Sequence, residues 1–151
     1  MERINEKIAD YLDALKTLEK ILKKFFEYKS MYAAHKTLEN EENFLMARDA
    51  TIQRFEYCTD LIWKVIKIYL EEIEKANIEA FFPLGIIRSA VTGRFLSESE
   101  GEELIEMVKS RNKTSHIYHE AIADDIANKI PGYYVLMKNI IDRIQASIAK
   151  E

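Results

Sequence analysis

The chain has very little from which to build tight turns: of its 151 residues only 4 are glycine and 2 are proline. Sheets joined by hairpins need such residues for their special backbone angles, so an all-β architecture is excluded and an all-α one favoured. There is 1 cysteine, Cys58, so no intrachain disulfide can form and a reducing compartment fits. It lies inside an apolar helical run, where burial raises a thiol's pKa; this marks a core residue rather than a nucleophile. Long hydrophobic runs are missing too. The richest, "LIWKVIKIYL", is broken by lysines and too short to span a bilayer. The opening "MERINEKIADYL" is charged from its second residue and has no apolar core of a secretion signal. A soluble, cytoplasmic protein is expected. Positive charge is not in excess either: the net charge of −4 excludes a broad basic face for coating nucleic acid, but leaves room for a small local cationic site. With 48% hydrophobic and 32% charged residues, the composition suits one globular domain over residues 1–151.

What is present is helical periodicity. Ile4, Ile8, Tyr11/Leu12, Leu15, Leu18, Leu22 and Phe25/Phe26 recur every three or four residues and predict an amphipathic helix from Glu2 to Tyr28. The rhythm then lapses over residues 29–43, which read as a connection with His35 on its surface. A second helix is expected from Asn43 to Lys75, on a stripe through Ile52, Phe55, Thr59, Ile62, Ile66, Tyr69 and Ile73. Leu61, Trp63, Val65 and Ile68 widen its apolar surface, so it is either central or covered by a second subunit. Pro83 suits the first turn of a short helix that runs to Val91 and ends at Gly93. "SESEGEELIEMVKSR" starts another, with Ser97 or Ser99 as cap and Lys109 and Arg111 at the far end, an order that complements the helix dipole. The last pattern runs from Ile117 to Ile148, with "IPG" at residues 130–132 predicting a bend or short break. The expected fold is an up-and-down four-helix bundle with one short extra helix.

Chemistry gathers in "SRNKTSHIYHE", Ser110 to Glu120. Arg111 closes one helix, and His116 opens the next, with Thr114 or Ser115 as the expected cap. Arginine offers a planar donor fork for phosphate oxygens, histidine carries or accepts a proton, and a helix N-terminus favours anions. These are the parts needed to hold a phosphate and move a proton beside it. The same spacing also describes a capped turn whose arginine pairs with a nearby acid. A metal site from His116, His119 and Glu120 lacks a further ligand, so neither metal nor other cofactor is expected.

"IQRFEYCTDLIWKVIKIYLE" (52–71), "PLGIIRSAV" (83–91) and "MVKSRNKTSHIYHE" (107–120), in that order, resemble the nucleotidyltransferase substrate-binding proteins of the HEPN superfamily. The resemblance implies a HEPN-like helical bundle that forms homodimers, with an Arg-x4-His pair from each subunit lining a cleft at the interface. It implies a metal-independent endoribonuclease: His116 would move a proton at the ribose 2′-OH or the leaving oxygen, Arg111 would stabilise the phosphorane, and Asn112 would orient RNA. Arg54, Glu56 and Lys64 match family positions, and Glu56 is placed to pair with Arg111. It further implies a minimal nucleotidyltransferase partner that transfers AMP to the tyrosine two residues after the histidine, here Tyr118. Positions i and i+2 face apart on a regular helix, so that scheme requires His116 in the turn itself. His119 lies outside the pattern, and Trp63 reads as packing. Two functions follow from the resemblance: a toxin-type ribonuclease silenced by AMPylation of Tyr118, or a non-catalytic subunit that binds nucleotide or other substrate for the partner enzyme.

Overall fold

The computed structural model describes residues 2–116 and 118–150, as five α-helices and one 3-10 turn without strands among them. α1 spans Glu2–Ala34, α2 Leu38–Glu72, α3 Pro83–Thr92, α4 Glu98–Asn112 and α5 Glu120–Ala149, with the 3-10 turn at Lys113–His116. Ile117, read as the first apolar position of the last helix, lies outside the described residues. No helix among them is long and apolar enough to cross a membrane.

Contacts along the helices set their directions. α1 runs antiparallel to α2, since Arg3 meets Glu72 at one end and Phe25 stacks on Phe44 at the other. α2 and α5 run parallel: Arg48 meets Asp124, Phe55 stacks on Tyr133, and Tyr69 hydrogen-bonds Ser147. α4 returns antiparallel to both, joining Ser110 to Tyr133 and Glu100 to Arg143. This is the expected up-and-down bundle of four, with α3 set against α2 and α4. At Gly101 an added Cβ would meet Val91 Cγ2 at 2.5 Å, so a glycine is what lets α3 and α4 approach this closely.

α2 is the central helix. It touches every other α-helix, and its stripe from Ile52 through Phe55, Ile62 and Ile66 is fully buried. Of the residues that widen its apolar surface, Val65 and Ile68 are buried within the chain, and Leu61 and Trp63 are partly buried. Cys58 is buried beside that stripe, and burial pushes its thiol pKa up to about 12, as suits a core residue.

Three sequence expectations change. The connection over 29–43 shrinks to residues 35–37, because both helices run past the start of α5 into a two-helix tip. There the apolar stripe thins, which hid the helices, but Phe44 still stacks on Phe25 and Tyr32, and Thr37 caps α2 through Asn40. α2 correspondingly starts at Leu38 and stops at Glu72. α5 continues unbroken through Pro131. The short break is therefore absent, and Ile130 and Tyr133 on either side of the proline are buried. Gly93 does end α3, but with φ −77°; the left-handed residue is Arg94, at φ 64°.

Ser97 is the α4 cap and forms a full capping box with Glu100. The Glu100 carboxylate accepts from the Ser97 amide at 2.9 Å and from both terminal nitrogens of Arg143 on α5. Hydrogen bonding by Arg143, partly opposed by burial and aided by the Ser97 amide, holds this carboxyl below its ordinary pKa. A depressed carboxylate stabilises the fold above its unfolded pKa, about 4.3 for glutamate, and loses that contribution as the pH falls through the folded value. Glu100→Gln should therefore flatten the acid limb of the stability-against-pH curve below about pH 4.3 in urea denaturation; an unchanged limb would contradict the linkage.

Candidate functional site

α4 ends at Asn112, and the chain then tightens into the 3-10 turn before α5 begins at Glu120. Thr114 explains the local path. Its buried hydroxyl donates to the Arg111 carbonyl at 2.7 Å and accepts from the Arg111 guanidinium at 3.1 Å, folding the turn back onto the helix end. Neither Thr114 nor Ser115 caps α5, contrary to expectation. The N-cap is His119, without a side-chain cap bond, and Ser115 donates instead to the Asn112 carbonyl.

Arg111 is held on three sides. Nε donates to Asp60 Oδ1 at 3.0 Å and one terminal nitrogen to Asp60 Oδ2 at 3.1 Å, a two-pronged grip. The other terminal nitrogen reaches Thr114 and lies 3.1 Å from Glu56 Oε2. Hydrogen bonding to Asp60 raises the Arg111 pKa; burial opposes this, and the charges of Asp60 and Glu56 add to it. The expected Glu56–Arg111 pair is formed, but Asp60 is the stronger partner and was not foreseen. The signal was available: residues 56 and 60 are one turn apart on one face of α2.

His116 sits in the 3-10 turn, ahead of the helix, which is where the scheme needs it. Its Nδ1 lies 3.5 Å from the Tyr118 hydroxyl, and Tyr118 is 72% exposed. His119, read as a bystander, packs its ring 4.4 Å from that of Tyr118. Asn112 is exposed at the last residue of α4. Lys64 stands one turn beyond Asp60 on α2, with its ammonium 5.4 Å from the centre of the half-buried Trp63 ring. Among the described residues no group of three or more His, Cys, Asp or Glu is placed to hold a metal ion. The structure therefore brings together Arg111, Glu56, Asp60 and Thr114 in one cluster, and His116 with Tyr118 in another. Lys64 pairs with Trp63, and Asn112 faces solvent.

A second arginine was missed altogether. Arg48 lies on the core register of α2 and is almost fully buried, yet it bonds Glu120, Asp124 at 3.0 Å and Asp49 at 3.1 Å. Burial pulls its pKa down, but hydrogen bonds to the three carboxylates outweigh that and raise it. Those same bonds hold Glu120 below the ordinary carboxylate range. A recess of about 940 Å³ lies away from the turn, between Phe26 and Met31 of α1 and Pro131 and Val135 of α5.

Fold and site together define a small all-α bundle protein with an exposed polar turn between its last two helices. The chain belongs to the family described as nucleotidyltransferase substrate binding protein like, whose model matches residues 6–146. A crystal structure of a protein from Thermus thermophilus is similar to it, at 30% identity and a TM-score of 0.69, over 89% of this chain and 98% of that one. No curated protein matches at a significant level.

A double-mutant cycle of Arg111→Gln and Asp60→Asn should give a coupling of about 1 kcal/mol in urea denaturation, since the pair is only partly buried. A coupling of zero would mean the guanidinium is not held.

Proposed function

We propose that this chain is the substrate-side subunit of a two-component nucleotidyltransferase, and that its turn presents Tyr118 as the acceptor of an AMP group. One observation carries the reading: an exposed phenol whose hydroxyl lies 3.5 Å from the Nδ1 of a histidine held in the same turn. The step is a displacement at phosphorus. The Tyr118 oxygen bonds to the α-phosphorus of ATP held by the catalytic partner, the bond from that phosphorus to pyrophosphate breaks, and the phenolic proton passes to His116 Nδ1. Arg111 serves as a fixed post that holds the turn against α2. The homodimer implied by the resemblance belongs to this reading, and exposed Phe81 and Phe82 supply apolar surface for it.

The HEPN-type ribonuclease is the second reading. It is favoured by the Arg-x4-His-x-Tyr spacing and by the exposure of His116, and in it AMP on Tyr118 would block the site by bulk and charge. Electrostatics weigh against it. Around the turn, Arg48 and Arg111 face the carboxylates of Asp49, Glu56, Asp60, Glu120 and Asp124, which occupies the arginine meant for the phosphorane and leaves Lys113 as the exposed cation of the turn.

Co-expression with the minimal nucleotidyltransferase tests the proposal. Intact-mass spectrometry should find one AMP on wild type and none on Tyr118→Phe, with His116→Ala reduced by roughly 10²-fold in transfer rate. Wild type expressed alone should leave growth unchanged. An active partner that adds nothing to wild type would overturn the reading. Growth arrest by wild type but not by His116→Ala would transfer it to the ribonuclease.

A further inference from the structure

We infer that Arg48 is a positioning residue for the acceptor turn, an inference that rests on the function proposed above. Residues 48 and 60 are about 18 Å apart along α2 at 1.5 Å per residue, and each anchors one side of the same turn. At one, Asp60 takes Arg111 from the last turn of α4. At the other, Arg48 takes Glu120 and Asp124 from the first two turns of α5. Those two carboxylates are four residues apart on one helical face. A single planar guanidinium bonded to both fixes how far α5 begins along α2 and how it is rotated. Glu120 follows Tyr118 by two residues, so the same grip sets where the phenol and His116 stand.

Its place in the register makes a role in packing alone a poor explanation. Arg48 continues the stripe of Ile52, Phe55, Ile62 and Ile66, all fully buried. An apolar side chain would fill that position without desolvating a charge, and such replacements are often neutral or stabilising. What an apolar residue cannot do is orient the start of α5. The core can be built without this arginine; the placement of the turn cannot.

The experiment uses the whole chain with its nucleotidyltransferase partner and ATP, comparing wild type, Arg48→Met, Glu120→Gln and, as a control, the core variant Ile144→Val. Hydrogen exchange by mass spectrometry is read over residues 113–120 and over α1, alongside kcat and KM for AMP transfer. Arg48→Met is expected to speed exchange in the turn by roughly tenfold and lower kcat by roughly tenfold with KM little changed, the signature of a displaced acceptor. Glu120→Gln, which leaves Asp124 in place, should move both in the same direction by less. Ile144→Val should move neither. Wild-type exchange and kcat in a folded Arg48→Met or Glu120→Gln would overturn the inference. If wild type itself accepts no AMP from an active partner, the proposed function fails, while the exchange data still decide whether Arg48 sets the turn.

Discussion

The grip of α2 carboxylates on Arg111 is the interaction on which the functional end of the molecule depends. Asp60 takes the guanidinium with two parallel bonds and Glu56 faces it from one turn away, so the end of α4 is tied to the most buried helix of the bundle. Thr114 adds a bond to the same guanidinium and another to the Arg111 carbonyl, which commits the following residues to a 3-10 turn instead of a continued helix. Without that turn, His116 and Tyr118 would lie on a regular helix and face apart. With it they meet at hydrogen-bonding range.

The grip also decides what chemistry the site supports. An arginine that stabilises a phosphorane must offer its donors and its positive charge to substrate. Here most of the donors are engaged by protein oxygens, and the nearby carboxylates outnumber the cation. A histidine beside an exposed phenol needs no such help from Arg111. That is the basis of the proposal that Tyr118 is acted upon, and the family's description as substrate binding fits a binding role better than a ribonuclease.

Much of the fold was legible because burial is periodic. The stripes of α1, α2 and α5 predicted helices that the structure contains, and the capping residues of α4 marked its start at Ser97. The two-helix tip was not legible, since a stripe read from core contacts fades where a helix has one neighbour in place of three. Thr114 and Ser115 looked like caps by residue type, but the Arg111 carbonyl and guanidinium claimed Thr114 first. Glu56 was found and Asp60 missed, although their four-residue spacing places both on one face. Arg48 was hidden in plain view: an arginine on a core register implies acidic partners, yet nothing local says that they lie more than seventy residues away, at Glu120 and Asp124.

The central claim, that Arg111 is immobilised by carboxylates of α2, is open to direct observation in solution. Nitrogen–proton NMR of the Arg111 guanidinium should find Nε–H protected from water and slowed rotation about the Nε–Cζ bond, both lost in Asp60→Asn. An Arg111 signal that exchanges and rotates like that of an exposed surface arginine, unaltered by Asp60→Asn, would contradict the account.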